Sequence, residues 1–467
     1  MKRFLPGLIA AALIATLSAC SPNPQATEPE APRLELGSDE FLQQAVIYEV
    51  NVRQFSQEGS FARVTEAIPR LSGLGVDILW LMPIHPISEL NRKGTLGSPY
   101  SVADYKAVSG EFGTEADLRE LVAAAHDANM MVILDWVANH TGWDHPWVSE
   151  HPEWYTQNEA GEIVHPPGTD WTDVADLNFS NWEMRMAMID AMRYWVEEFD
   201  IDGFRADVAH SVPVDFWNLA SEKLHEVKDV FMLAEDGGDQ ALLKTAFDTN
   251  YAWPLKDLFN RLGRNSADAG DFRRNLKSTA TQYKDGKYQM VFITNHDENS
   301  WSGTVFERLG ENVKNLAVIS FTVPGMPLIY SGQEVGLDRR LEFFEKDPIV
   351  WPAAGNEWTE FYGDLVRLKT DNPALWTAGA GGVLRAVHLD NSDVIGFARS
   401  YQGNDVIVLA NLADKAQTQV LELGDLVGDY TDFFSGELIS LSEGAEISLP
   451  ANDFQVLIRS LVPEISQ

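Results

Sequence analysis

Val132-Ile133-Leu134-Asp135-Trp136 and Gly203-Phe204-Arg205-Ala206-Asp207 are short, largely apolar runs, each with an acid at or next to its end. Such a run, without polar alternation, is the pattern of a strand covered on both faces, as in a parallel sheet. Working outward, the pattern recurs at Val46–Val50, Asp77–Met82, Val230–Glu235, Phe247–Tyr251, Met290–Thr294 and Pro327–Tyr330, which makes eight strands. Segments with helical spacing lie between them, among them Glu115–Asn129, Trp182–Glu198, Asp215–His225 and Asn312–Phe321. Eight βα units predict an α/β fold, a (β/α)8 TIM barrel over residues 40–375, with any catalytic groups at the C-terminal strand ends.

The connection after the third strand is too long for an ordinary loop, so residues 141–181 are expected to form an inserted subdomain. It holds Trp143, Trp147, Trp154, Tyr155 and Trp171, rings that either pack the subdomain or offer platforms for sugars. Beyond a helix at 357–370 the pattern shifts to short alternating runs at Val394–Ser400, Val406–Asn411, Thr418–Leu423, Ala445–Leu449 and Phe454–Leu461. A C-terminal antiparallel β-sandwich over 376–467, acting as a cap on the barrel, is the expectation.

Seventy acidic residues face thirty-five Lys and Arg, a net charge of -35 that repels a nucleic-acid backbone and leaves a neutral, hydroxyl-rich partner unpenalised. Lys2-Arg3, an apolar stretch from Phe4 to Leu17 and Ser18-Ala19-Cys20 follow the order of an export signal, too short for a comfortable membrane span. Leu17-Ser18-Ala19-Cys20 resembles the lipobox of bacterial lipoproteins, and Cys20 is the only cysteine. That resemblance implies a signal peptide at 1–19, lipidation at Cys20 and a Pro-rich tether over 20–39. The protein would then be exported and lipid-anchored in the cell envelope, and Ser21 resembles the sorting residue of outer-membrane lipoproteins. Oligomeric state leaves no trace in the sequence.

Four acids stand at or just past strand ends: Asp135, Asp207, Glu235 and Asp297, separated by 72, 28 and 62 residues. With about thirty residues per βα unit, Asp207, Glu235 and Asp297 fall on strands four, five and seven around one mouth. Arg205, His140 and His296 accompany them. An arginine among several acids in a dry pocket splits their pKa values, keeping one ionised and another protonated, which supplies a nucleophile and a general acid. Two carboxylates in those roles, about 5 to 5.5 Å apart, equip a retaining glycosidase. Asp135, Asn139, His140 and Asp297 could instead be assembled into a two-metal hydrolase, although no HExxH grouping supports it. No phosphate-binding glycine loop or GxSxG elbow occurs, so no organic cofactor is expected.

At these residues the sequence resembles the α-amylase superfamily, glycoside hydrolase family 13. Asp135-Trp136-Val137-Ala138-Asn139-His140, Gly203-Phe204-Arg205-Ala206-Asp207, Glu235 and Thr294-Asn295-His296-Asp297 match its four motifs in order. The resemblance implies Asp207 as nucleophile, Glu235 as acid and base, and Asp297 as stabiliser of the oxocarbenium-like transition state. It also implies Arg205, His140, His296 and Tyr100 as sugar-binding residues, and Asn139, Asp176 and the carbonyl of His210 as holders of a structural calcium ion. The implied substrate is an α-1,4-linked glucan or maltooligosaccharide. Cyclomaltodextrinase, α-glucosidase and glucosyl transferase activities share the triad, and a non-catalytic glycan-binding protein would share the scaffold. Two positions depart from the pattern: Ala209 stands where relatives often carry lysine, and Asp236 where a tryptophan is common. Both bear on contacts beyond the cleavage point.

Overall fold

The computed structural model describes residues 34–460, apart from 284–285, 378, 388 and 390–391. The signal segment 1–19, Cys20 and the tether up to residue 33 lie outside the described residues. From Glu35 onward the chain forms one compact unit.

Eight parallel strands close on themselves in chain order. They are β1 (Ile47–Val50), β2 (Ile78–Leu81), β3 (Met131–Trp136), β4 (Gly203–Ala206), β5 (Phe231–Ala234), β6 (Thr249–Tyr251), β7 (Tyr288–Val291) and β8 (Met326–Tyr330). Closure runs from β8 to β1 through the pairs Ile47↔Leu328 and Glu49↔Tyr330. All eight strands read from the sequence are present, and every residue in them is buried.

Side chains alternate across each strand. Tyr48, Val50, Leu79, Leu81, Val132, Leu134, Phe204, Ala206, Met232 and Ala234 join the apolar cluster beneath the helices. The intervening positions Glu49, Trp80, Asp135, Arg205 and Tyr251 therefore face the barrel interior, where several of them touch. Polar residues in that interior, near the C-terminal strand ends, mark the working end of the barrel.

Local chemistry explains the helices around it. Thr114 opens Glu115–Asp127 with a capping box, and the chain leaves that helix through Asn129 in the left-handed region. Asn181 caps Trp182–Phe199 by accepting from the Met184 N–H. Gly203, which starts β4, has φ +155, and a Cβ there would stand 1.9 Å from the carbonyl oxygen of Phe231. Only glycine lets β4 and β5 approach so closely.

The inserted segment is built on a small hairpin of His140–Gly142 with Val174–Asp176. Its rings divide between the two expected roles. Trp147 packs on Trp154 at 5.0 Å and on Tyr105 at 5.4 Å, and Trp154 and Tyr155 are buried, whereas Trp171 faces the open cleft.

In the C-terminal region a six-stranded antiparallel sheet packs against a two-stranded one, Gln417–Val420 with Glu446–Leu449. Ile407, Leu409 and Leu457 point to the core between the sheets, while Val406, Val408 and Val456 point to the barrel side. Three strands escaped the sequence reading: Val383–Ala386, Gly428–Asp432 and Leu438–Leu441. Each lies towards an edge of the six-stranded sheet and is short and partly exposed, so its apolar alternation is weak.

Candidate active site

The C-terminal ends of the strands open into a cleft of about 570 Å³. Asp207, Glu235, Asp297, Tyr100, His140 and His296 all line it. Arg205 lies beneath, fully buried. Its Nη1 donates to Asp135 Oδ1 at 2.8 Å and Asp207 Oδ1 at 2.9 Å, its Nη2 pairs with Glu235 Oε2 at 2.9 Å, and its Nε donates to the Tyr251 hydroxyl at 2.9 Å. Asp207 and Glu235 are thus gripped by the two ends of one guanidinium, which limits how far apart they can stand. Truncating the cation of such a buried cluster would leave uncompensated charges, at a cost of about 3–5 kcal/mol.

The chain leaves β4 abruptly. Val208 sits at φ 37, unusual for a β-branched residue, and its N–H donates to Glu235 Oε2 at 2.7 Å. This backbone strain fastens the acid of β5 to the turn that follows Asp207, the kind of place where strain collects at functional sites.

Burial pushes Asp207 up to about 6 against the opposing pull of Arg205, and pushes Glu235 up to about 7. Arg205 contacts both acids, so proximity to the cation alone does not separate them. Glu235 retains its proton to higher pH although the cation touches it, since burial outweighs the cation and Asp207 and Asp297 add repulsion.

A hydrogen-bonded chain extends from the other side. His296 Nδ1 meets Glu49 Oε1 at 2.5 Å and its Nε2 meets the Tyr100 hydroxyl at 2.8 Å. Burial opposes a charge on His296, but Asp297 and Glu49 outweigh it and lift the imidazole to about 9. As imidazolium it donates at both nitrogens, leaving the Tyr100 O–H to donate to Asp135 Oδ2 at 2.9 Å. His140 is the opposite case: burial drives it down to about 4, so it is neutral, and the Asn139 amide meets its Nδ1 at 3.2 Å.

Glu49, Trp80 and Tyr251 were not singled out from the sequence. Trp80 Nε1 donates to Asp135 Oδ2 at 3.2 Å and its ring lies under the Arg205 guanidinium. Glu49 had a legible signal, an acid inside the apolar run Val46–Val50. Trp80 and Tyr251 had none, since an aromatic in a strand reads as core. The structure lends the two-metal alternative no support: Asp135 is engaged by Arg205 at one oxygen and by Trp80 and Tyr100 at the other.

The remaining candidates are Asn139, Asp176 and His210. In the hairpin Asp176 pairs with His140, next to the buried Asn139, whose carbonyl accepts from the Leu177 N–H at 3.2 Å. His210 is exposed in the turn Ala209–Ser211. Among the described residues no group of three or more His, Cys, Asp and Glu could hold a metal ion. Of the two departures, Asp236 is engaged by its own loop, accepting from the N–H groups of Gly238 and Asp239, and Ala209 is buried under Trp217. Neither touches the acids on Arg205.

The family model for the α-amylase catalytic domain matches residues 39–171 and 168–381, which include all four acids. The chain belongs to the α-amylase family. Among solved structures it is similar to a maltogenic α-amylase from Thermotoga neapolitana, at 30% identity and a TM-score of 0.82, over 90% of this chain and 100% of that one. An α-amylase from Lactobacillus plantarum matches at 30% identity and a TM-score of 0.80, over 90% and 99%. Among curated relatives, an α-amylase of Haloarcula japonica is 28% identical over 85% of this chain. This α-amylase family member spans 59% of that protein's length.

Proposed function

We propose that the protein is a retaining hydrolase of α-1,4-linked glucans or maltooligosaccharides. The observation that carries this reading is the pair Asp207 and Glu235, held by one buried guanidinium at the floor of a cleft, with Glu235 keeping its proton to higher pH than Asp207. Asp207 attacks the anomeric carbon and forms a glycosyl ester while Glu235 gives its proton to the departing oxygen. Water, deprotonated by the same Glu235, then releases the sugar. Asp297, Tyr100, His140 and His296 bind the sugar being cleaved. The names of the relatives, α-amylase and maltogenic α-amylase, support the same substrate class. The test is release of reducing ends from soluble starch and maltoheptaose by the wild type and by Asp207→Asn. Background signal from both would reject the enzyme in favour of a glycan-binding protein.

We also propose that Asn139, Asp176 and the His210 carbonyl hold a calcium ion that braces the inserted hairpin. Oxygen donors suit that hard cation. The Asp176 carboxyl is raised by burial against the pull of Thr156 and His165, and a bound cation would offset that burial. The ion would stiffen the hairpin that carries His140. Removing it with a chelator should lower the Tm by several degrees, restored by calcium in calorimetry. An unchanged Tm in both conditions would reject the site.

Membrane attachment through Cys20 rests on Leu17-Ser18-Ala19-Cys20 and the absence of any other cysteine. In a bacterial host the wild type should incorporate labelled palmitate and partition into detergent. Cys20→Ser should do neither. A wild type without label would end the proposal.

A further inference from the structure

One side of the cleft is walled by loops fastened to one another. The loop after β2 is tied to the inserted segment by Lys93, whose Nζ donates to the Asp170 carbonyl at 3.0 Å and pairs with the Asp173 carboxylate at 3.1 Å. Asp173 is buried, and its own carbonyl accepts from the Ser101 hydroxyl at 2.9 Å. Two residues beyond Lys93, the same loop is joined to the one after β8. The Thr95 N–H donates to Glu345 Oε1 at 2.8 Å, the Thr95 hydroxyl binds the other oxygen of that carboxylate, and the Leu96 N–H donates to the Phe344 carbonyl at 3.1 Å. Gly94, at φ +66, makes the junction possible, because a Cβ there would stand 2.4 Å from that of Phe344. Behind the junction, Phe343 lies parallel to Tyr100 at 6.2 Å and packs at 5.2 Å on Trp301, a tryptophan 56% exposed at the mouth.

The position of this wall matters because of Glu235. A general acid protonates the departing oxygen, so the leaving part of the glucan lies on the β5 side of the mouth. In barrel order β8, β1 and β2 lie opposite β5, and the joined loops belong to β2 and β8. Lys93, Phe344 and Trp301 line the cleft, where the part of the sugar chain on the non-reducing side of the cleaved bond would lie. A polymer cut internally needs both ends of its cleft open.

Building on the hydrolase reading, we propose that the protein acts on chain ends. A non-reducing terminus enters until it abuts the wall, Trp301 and the two phenylalanines provide apolar faces for its last ring, and short oligosaccharides of narrow size range leave. Lys93 and Glu345 are positioning residues that keep the wall closed.

The test compares p-nitrophenyl maltoheptaoside with the same compound carrying an ethylidene group on its non-reducing O4 and O6. The wild type should cleave the blocked compound at least about tenfold more slowly. Lys93→Met, and separately Glu345→Gln, should raise the blocked-to-unblocked ratio by opening one junction or the other. Equal rates on the two compounds in the wild type, or a ratio unmoved in both variants, would overturn chain-end action while leaving the hydrolase reading intact. Product from neither compound would overturn the hydrolase reading itself.

Discussion

Asp207→Asn is expected to reduce hydrolysis of maltoheptaose by about 10⁴-fold or more, because an amide oxygen is too weak a nucleophile to form the glycosyl ester and loss of one member of a concerted catalytic group costs nearly the whole effect. The substitution conserves shape, and the asparagine oxygen can still accept from Arg205 Nη1, which now holds Asp207 at 2.9 Å. Circular dichroism and Tm should therefore stay close to the wild type while turnover collapses. Burst kinetics with an activated aryl glucoside separates this from a binding defect: the wild type should accumulate a covalent sugar on Asp207, detectable by mass spectrometry, and the variant should not. A variant rate within about tenfold of the wild type would remove Asp207 from the chemistry.

Glu235→Gln should lower kcat/KM on natural glucans by about 10²–10⁴-fold, the range supplied by a positioned proton donor. The loss should shrink on aryl glycosides whose leaving groups depart without protonation. The pH profile carries the second part of the prediction. Asp207 must be ionised and Glu235 protonated, and the pair titrates with apparent values of about 6 and about 7. Wild-type activity should accordingly fall as pH drops through about 6, when Asp207 takes a proton, and fall as pH rises through about 7, when Glu235 loses one. Glutamine has no proton to lose, so the variant should lack the alkaline limb and keep the acidic one. A variant profile with the alkaline limb intact would assign that limb to another group, with His296, raised to about 9, the first to examine.

The barrel was legible because each of its strands is a local pattern. Val132–Trp136 or Gly203–Asp207 is buried on both faces and so is largely apolar, and the carboxylate at or next to the end of each run is conspicuous for the same reason. The inserted hairpin was legible only as an excess of length, and its rings could not be divided between core and cleft, since Trp154 and Trp171 look alike until one is covered. The outer strands of the C-terminal sheet were lost because a partly exposed edge imposes no strict alternation on residues such as Leu438–Leu441.

From the order of residues alone came the number of βα units, the set of acids on the rim and the motifs of the α-amylase family. All of these are properties of a strand and the residue at its end, which period and spacing record. Tertiary structure alone decided that one guanidinium holds both Asp207 and Glu235, that Glu49 hydrogen-bonds His296 across a sequence separation of 247 residues and so joins Asp297 in charging it, and that Lys93 and Glu345 join three loops. Those contacts unite segments whose separation along the chain bears no relation to their distance in space. Their energies come from desolvation and charge pairing in a closed interior, which exists only once the barrel has formed.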